Sequence, residues 1–338
     1  MGKAKFNRGV IVMLAIAVLL FPLRVAAAAD AMLQICLGAA ADYSPMFPTQ
    51  TIPASAQEVT AVFRFAKGET HKSVTGTWIA VDVGTAAPPN HVMVKSTQKD
   101  MMSQGRVWFS LPRALPVGKY RLDVEADGKA WKSAEFSVVP DIVAPQLSGP
   151  EALVPTKPGQ TWNYDFVQQA GAGAKIGFPD IKPDAEGKYR ATVEIKMVGK
   201  DAAGDHAEMR RNGRLVFEEW WRVDQKGFAA TKRKAGDEVS VLDPPQVLFA
   251  WPQATSKKWD YTPRDRSYHQ TYRTIGPLAI KTASGEKTGY VVLVEQGEGR
   301  MGITVERHFV PGTGMVREII VTALDHDMLS RQEMVLKP

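Results

Sequence analysis

Three segments decide the fold class of this chain: KKWDY at 257–261, EKTGYVVLVEQ at 286–296 and ITVERHFVPGTGMVREIIV at 303–321. Apolar and polar side chains alternate along the longer segments, which is the period of a β-strand. Pro311 and Gly312 interrupt the last segment and fit the two central positions of a type II turn. The first two segments therefore predict one strand each. The third predicts two strands joined as a hairpin at Pro311–Gly312.

Each segment has a weaker counterpart about a hundred residues upstream. Trp162-Asn-Tyr164 matches Trp259-Asp-Tyr261, and Tyr189–Glu194 matches Tyr290–Glu295. Glu219–Val223 matches Glu306–Val310, with Glu219 aligned on Glu306. A small antiparallel unit leaves an apolar face and sheet edges uncovered, and a second copy can cover both. We therefore predict a duplicated antiparallel β-domain over residues 160–336, forming a half-barrel or a barrel.

The preceding region, residues 32–139, also consists of short alternating runs. Val59–Phe65 places its apolar residues on one face, and Tyr120–Ala126 alternates apolar with charged residues. Asp127-Gly128 follows and suits a tight hairpin turn. Several such strands predict a β-sandwich. Five prolines then punctuate residues 140–159, which we predict to be an extended linker between two domains.

Residues 1–29 have the pattern of an export signal, in which a basic start precedes an apolar run and then small residues. The apolar run is too short to span a bilayer comfortably, so we predict no transmembrane segment after cleavage. Cleavage would remove four of the 42 basic residues and leave 38 against 36 acidic ones, so that the net charge of +6 falls to about +2. That balance gives no support to nucleic-acid binding. A lipid anchor at Cys36 is not expected, because the preceding Ile35 is not small; the alternatives for Cys36 are a buried thiol, which we favour, a free reactive thiol and an intermolecular disulfide.

Two resemblances add to this interpretation. The phrase LPVGKYRLDVEADGKAWKSAEFSVV at 115–139 resembles the last hairpin of bacterial immunoglobulin-like modules, which act as adhesive or spacing units. The W-x-Y motif at Trp259 and the hairpin HFVPGTGMVR at 308–317 resemble secreted and lipoprotein-type β-domains of bacteria. Some of those domains are similar to periplasmic half-barrel carriers of lipids or lipoproteins. The resemblance implies a curved sheet with a concave face, and it specifies no binding residue.

The sequence carries no recognisable motif for catalysis or for cofactor binding. The sequence contains no phosphate-binding loop, no G-x-S-x-G and no H-E-x-x-H. Its six histidines include no close pair, so we predict no metal site, and Asp325-His326-Asp327 is interpreted as a solvated turn. Glu219 and Glu306 are expected to be cross-strand partners of Arg222, Arg273, Arg300 or Arg307. We therefore predict no catalytic, cofactor-binding or metal-binding residue.

The most unusual local composition is KKWDYTPRDRSYHQTYR at 257–273, where aromatic and basic residues alternate. Such a mixture can stack on sugars or bind anionic polymers, although we favour a strand pair with one aromatic face inward and one basic face in solvent, because the spacing from Ser267 to Arg273 is that of a strand. Adjacent strand residues point to opposite faces, so one residue of Trp220-Trp221 must lie outside the core. The candidate ligand or partner surface consists of Trp259, Tyr261, Arg264, Arg266, Tyr268, Tyr272, Arg273, Trp220 and Trp221.

From these observations we predict an all-β protein with an immunoglobulin-like sandwich followed by the duplicated domain. The predicted function is a non-enzymatic binding or assembly module of the bacterial cell envelope, exported to the periplasm or outside the cell. Its partner would be an envelope protein, a polysaccharide or a lipid. One alternative is a periplasmic carrier that holds a lipid or another apolar ligand on a concave sheet. A second alternative is an envelope hydrolase or transferase with a non-standard site.

Overall fold

The computed structural model describes residues 31–110, 114–145, 147–178, 181–251 and 257–338. The predicted export signal, residues 1–29, lies outside the described residues. Twenty-one strands form three sheets, and the described helical residues belong to two short 3₁₀ turns. The all-β fold class predicted from the alternation is confirmed.

The first region forms two small sheets that face each other. Its strands are β1 Met32–Ala39, β2 Pro45–Pro48, β3 Thr51–Pro53, β4 Glu58–Arg64, β5 His71–Asp82, β6 His91–Met102, β7 Gln104–Ser110, β8 Gly118–Ala126 and β9 Lys129–Val139. One sheet has the order β2-β1-β4-β7 and the other has the order β3-β9-β8-β5-β6. The predicted turn at Asp127-Gly128 has positive φ at both residues, 49° and 75°. Trp78, Phe109 and Phe136 pack between the two sheets. The comparison with immunoglobulin modules stays a prediction.

The second region is one antiparallel sheet that is nearly closed into a barrel. Its first six strands are β10 Thr161–Ala170, β11 Lys188–Asp201, β12 Gly204–Arg211, β13 Arg214–Asp224, β14 Gly227–Ala235 and β15 Glu238–Ala250. The other six are β16 Lys258–Tyr261, β17 Gln270–Thr282, β18 Gly285–Glu298, β19 Met301–Val310, β20 Gly314–Leu324 and β21 Asp327–Leu336. The order runs from β15 down to β10, then to β21, and down again to β16. Each strand therefore pairs with its neighbour in sequence, apart from the β10–β21 pair, and β15 and β16 are the two ends.

The two sets of six strands share a bulge at the same place. On β13 the register shifts between Trp220 and Trp221, and on β19 it shifts between His308 and Phe309. Aligning the bulges places Glu218 on Glu306, an offset of 88 (306 − 218), so that Glu219 corresponds to Arg307. The sequence alignment of Glu219 with Glu306 was therefore off by one residue. Tyr189 and Tyr290 do not correspond either, because they lie on the second and third strands of their sets.

The two-sheet region packs on the outside of the barrel. Ile275, Leu293 and Ile319, which point outward from β17, β18 and β20, belong to the same apolar cluster as Ile35 and Phe63. Thr60 and Val62 on the second face of β4 are also buried, at 2% and 0% exposure. Alternation alone would place that face in solvent. Val62 packs with Cys36 and Ala39 of β1, and Gly38 on the same face of β1 lies against Leu293 of the barrel.

The proline-rich stretch 140–159 includes a 3₁₀ turn at Pro150–Ala152. Leu153 is fully buried and packs with the side chains inside the barrel. The amide of Gly312 donates to the carbonyl of Ala152 at 2.7 Å, which ties this stretch to the β19–β20 turn. This stretch thus contacts the barrel directly, while the predicted domain boundaries themselves stay predictions.

Candidate functional site

The predicted surface around 257–273 is divided by the sheet into an inner and an outer part. Tyr261 and Tyr272 project into the barrel and are 4% and 1% exposed. The half-buried ring of Trp259 stacks on Tyr272 with centroids 5.1 Å apart, and its Nε1 donates to the carbonyl of Val247 at 3.0 Å. Val247 lies on β15, so Trp259 helps to join the two ends of the sheet. These aromatic side chains form the closing seam of the barrel.

Arg273 points to the opposite face from Tyr272. Its Nη2 donates to the carbonyl of Leu37 at 2.5 Å, and its Nη1 lies 3.1 Å from Glu58 Oε1. Both partners belong to the two-sheet region. Arg273 therefore links that region to the barrel, and it is only 9% exposed.

Arg264 and Arg266 lie on the loop between β16 and β17 and are exposed. Arg264 forms an ion pair with Asp243 at 3.0 Å, and Arg266 has a positive φ of 53°. Tyr268 from the same loop is half-buried, and its ring lies 6.0 Å from that of Tyr261. The predicted patch is thus three separate environments, and a ligand role for these residues stays a prediction.

Trp220 and Trp221 lie on opposite faces of β13, as adjacent strand residues must. Trp221 packs inside the barrel against Trp162 and Phe228. Trp220 lies on the outer face, stacked on His206 at 4.2 Å, with Lys232 Nζ 4.0 Å from its ring centroid. These two neighbours leave Trp220 only 5% exposed, so it offers little surface to a ligand.

Two ion pairs lie inside the barrel. Glu219 on β13 pairs with Arg233 on β14 at 2.7 Å, and Arg307 on β19 pairs with Glu318 on β20 at 2.6 Å. After the bulges are aligned, the two pairs occupy corresponding positions with acid and base exchanged. The partner of Glu219 is therefore Arg233, which was not among the arginines expected from the sequence. Glu306 faces outward instead, 2.5 Å from His308 Nε2, and accepts from the amide of Phe47 at 2.7 Å.

Tyrosine and glutamine side chains surround these pairs. The hydroxyl of Tyr272 accepts from Gln246 Nε2 at 2.6 Å and donates to Gln270 Oε1 at 2.7 Å. Gln270 in turn donates to Gln296 Oε1 at 2.8 Å. A hydrogen-bonded network thus links β15, β17 and β18 inside the barrel.

The pKa shifts in this network keep each group in its ordinary protonation state. Burial raises the pKa of Tyr272 to about 12 and raises that of Tyr261 as well. Burial disfavours the charge on Arg233 and Arg307, but their carboxylate partners outweigh it and raise both pKa values. A general acid or base needs a pKa near the working pH. These shifts move the tyrosines and arginines away from it, which suits a structural network.

A groove lies where the two-sheet region meets the end of the β18–β19 hairpin. Its volume is about 480 Å³, and its walls come from the β1–β2 loop, β7, the β18–β19 hairpin and the β20–β21 turn. Small-molecule sites have volumes of about 300–1,000 Å³. Its lining residues include Tyr43, Arg106, Arg300, Gly302, Asp325 and His326.

Polar side chains organise this groove. The ring of Tyr43 stacks on His326 at 4.2 Å, and His326 Nδ1 lies 2.8 Å from the carbonyl of Ala41. A carbonyl oxygen can only accept, so Nδ1 carries the proton, and Nε2 of a neutral ring accepts from the Tyr43 hydroxyl at 3.1 Å. Arg300 pairs with Asp325, whereas the exposed Arg106 has no ion pair within the described parts of the chain. Arg106 is therefore available to an anionic group.

Sequence reasoning did not predict this groove. Asp325-His326-Asp327 was interpreted as a solvated turn, but His326 contacts the β1–β2 loop through its ring and both nitrogens. Asp325 and His326 both have positive φ, 49° and 68°, which is uncommon for two consecutive non-glycine residues. The histidine in a tight turn was the one available signal, and its partner Tyr43 lies 283 residues away.

Within the described residues, no group of three or more histidine, cysteine, aspartate or glutamate side chains could hold a metal ion. Across those same residues, no helix is long and apolar enough to span a membrane. Cys36 is fully buried, and burial raises the pKa of its thiol to about 12, so it is unreactive.

No protein-family model matches this chain, and neither does any curated protein. A solved structure of a Bacteroides fragilis protein, thought to be exported and described as having a YmcC-like fold, is similar over 54% of this chain and 98% of its own. The sequence identity is 10% and the TM-score is 0.26. At that level the likeness carries no argument about fold or function, so the functional argument depends on the residues described above.

Proposed function

We propose that this chain is an exported, non-enzymatic binding or assembly module of the cell envelope, and that it binds its ligand or partner in the groove beside Arg106. The observation that carries this proposal is the groove itself, which two parts of the molecule build together. The sequence pattern of residues 1–29 supports export. An envelope protein, a polysaccharide or a lipid headgroup could each present an anionic group to Arg106.

Hydrogen bonds hold the walls of the groove in place, and this favours a binding role. The amide of Ala41 donates to Thr304 Oγ1 at 3.2 Å, and the amide of Phe47 donates to Glu306 Oε2 at 2.7 Å. The first bond joins the β1–β2 loop to β19 in the wall of the groove, and the second joins β2 to β19 beside it. A site formed before its ligand arrives loses less conformational entropy on binding.

The two alternatives receive less support. A carrier needs an empty apolar space, yet Tyr290, Phe249 and Phe309 pack against one another inside the barrel and are at most 1% exposed. An acid–base enzyme needs a group poised near neutral pH, and the pKa shifts inside the barrel run the other way.

Native mass spectrometry of gently purified, exported protein tests the proposal. We expect a bound ligand or partner mass that is lost in Arg106→Glu and kept in Arg214→Glu, a matched exposed arginine outside the groove. If every preparation showed only the mass of the unliganded protein, the result would count against the proposal. A lipid adduct that survives Arg106→Glu would support the carrier, and turnover of an envelope substrate that a point substitution abolishes would support the enzyme.

A further inference from the structure

The first part of β15 is an open strand edge. Residues 238–241 pair with β14 on one side, from Ala235 opposite Glu238 to Lys232 opposite Val241. On the other side, β16 is only four residues long and reaches β15 further along, through Trp259 and Val247. No described strand pairs with this side of residues 238–241.

The hairpin geometry shows which backbone groups face the open side. In a two-residue hairpin the flanking pair, here Ala235 and Glu238, is hydrogen-bonded, and bonded and non-bonded pairs then alternate. Ser240 is therefore bonded to Arg233. Val239 and Val241 instead direct both their N–H and C=O groups away from β14.

The side chains of the same two residues are exposed. Val241 is 74% exposed and Val239 is 53% exposed, on the outer face of the sheet. The lysines opposite them on β14 are already engaged, Lys234 with Glu218 at 2.8 Å and Lys232 with the ring of Trp220. Natural proteins normally protect such an edge with charge, a bulge or a cover, because it is a template for pairing with another chain.

We propose that this edge pairs with the same edge of a second copy, antiparallel and centred on Ser240. Val239 would then lie opposite the partner's Val241, and Val241 opposite the partner's Val239. Both pairs would be hydrogen-bonded, giving four backbone bonds, and the four valines would form one apolar cluster. The arrangement is self-complementary, as a two-fold interface requires.

Charge also fits this register. The acidic residues Asp237 and Glu238 lie at one end of the edge. The β16–β17 loop adjoins the other end, where the amide of Arg264 donates to the carbonyl of Asp243 at 2.8 Å. In this register Asp237 lies opposite the partner's Asp243, whose charge is already paired with Arg264 at 3.0 Å. The nearby acid Asp265 accepts a hydrogen bond from Ser267, and Arg266 is exposed. Antiparallel pairing therefore brings Asp237 and Glu238 of one copy to the end of the other copy that carries Arg264 and Arg266.

Stable protein–protein interfaces bury roughly 1,200–2,000 Å² of total surface, and an edge of four residues buries less than that. The expected assembly is therefore a concentration-dependent equilibrium between monomer and dimer. The edge is separate from the groove, because β15 contributes no groove residue.

Disulfide trapping of Ser240→Cys tests the register. Ser240 would face the partner's Ser240 in a non-hydrogen-bonded pair about 4.5 Å apart between Cα atoms, within disulfide range. The native Cys36 is fully buried and does not interfere. Under mild oxidation we expect most of this variant to form a covalent dimer, and the matched Leu215→Cys control, exposed but off the edge, to remain monomeric. Equal trapping of both variants, or none of Ser240→Cys, would overturn the proposal.

A backbone variant provides the second test. Val241→Pro removes the N–H that faces the open side and leaves the β14 ladder intact, and Val241→Thr keeps that N–H. Sedimentation of the unmodified chain should show a dimer fraction that rises with concentration, is kept in Val241→Thr and is lost in Val241→Pro. If Val241→Pro misfolds by circular dichroism, Val241→Lys replaces it. A monomer at every concentration, or a dimer insensitive to these changes, refutes the pairing.

Discussion

Arg307 and Glu318 illustrate how single residues hold the inside of the barrel together. Their side chains are 17% and 12% exposed, and the guanidinium lies 2.6 Å from the carboxylate. Removing one member of a buried pair leaves the other charge desolvated without a partner, whereas replacing both by apolar groups is often neutral. The Glu219–Arg233 pair has the same arrangement.

We expect Arg307→Met to lower the free energy of unfolding by about 3 kcal/mol. The double variant Arg307→Met with Glu318→Leu should recover most of that loss, because no unpaired carboxylate remains. Urea denaturation of the mature protein measures both. As a control, Arg264→Met breaks an exposed pair and should cost at most about 1 kcal/mol. A double variant no more stable than the single one would contradict this account.

Glu218, on the outer face of β13, gives a pH prediction. The hydrogen bond from Lys234 lowers the pKa of Glu218 below its ordinary value of 4.5, with His206 adding to the effect. The carboxylate therefore stabilises the fold above that value, and this contribution is lost as the pH falls through the lower, folded-state pKa.

In Glu218→Gln, the free energy of unfolding should therefore fall less between neutral and acid pH than it does in the parent protein. The measurement is the urea midpoint as a function of pH for both proteins. Near pH 7 the variant should be less stable than the parent, and the two curves should converge in acid. Parallel curves would show that Glu218 does not contribute in this way.

At the scale of elements, the seam between β15 and β16 is where the described barrel strands meet without a backbone ladder. The other strand neighbours in the barrel are joined by backbone ladders, whereas Trp259 Nε1 of β16 donates to the carbonyl of Val247 on β15, and Gln246 of β15 reaches past β16 to Tyr272 on β17. Side-chain bonds fix the closing geometry less firmly than a continuous ladder. Opening motions of the barrel are therefore expected to begin here.

We expect Trp259→Phe to increase hydrogen exchange selectively in β15 and β16. Phenylalanine keeps an aromatic ring over Tyr272 but loses the Nε1–H bond, at a cost of about 1 kcal/mol. Mass spectrometry of exchanged peptides measures the effect, and strands β10 and β21 serve as the internal reference. Uniform exchange across the barrel would mean that the seam is not a separate opening unit.

At the scale of the whole molecule, the two-sheet region and the barrel share an apolar cluster and several polar ties. Glu306, only 2% exposed, accepts the Phe47 amide and contacts His308, while Arg273 reaches Glu58 and the carbonyl of Leu37. The groove depends on this docking, because each part contributes one of its walls. Unfolding of the two parts should therefore be coupled.

Glu306→Ala should weaken that coupling, since it leaves the Phe47 amide and the His308 ring without an acceptor at a cost of about 1–3 kcal/mol. Calorimetry should show one unfolding transition for the parent and two resolved transitions for the variant. Glu295→Ala, an exposed change on neighbouring β18, is the control and should keep one transition. A single transition in Glu306→Ala would mean that apolar packing alone couples the two parts.

The sequence by itself determined the local structure of this protein. Alternation along Tyr120–Ala126 and the positive-φ turn at Asp127-Gly128 predicted strands and hairpins, because both signals act between near neighbours in the chain. It also identified Trp220 and Trp221 as lying on opposite faces. Only the tertiary structure decided which faces are covered. Val62 is fully buried although alternation would expose it, and Arg273 joins the barrel to the two-sheet region through the carbonyl of Leu37.

The tertiary structure also decided which residues form sites. Aligning the bulges of β13 and β19 places Glu219 on Arg307, and the residue opposite Glu219 on β14 is Arg233. Which residues meet across a sheet depends on the register of the paired strands, which spacing along the chain does not give. The groove joins Tyr43 to His326, and residues so far apart in sequence meet only when separate sheets dock. Local patterns specify strands, whereas closure and docking depend on the free energy of burying whole faces.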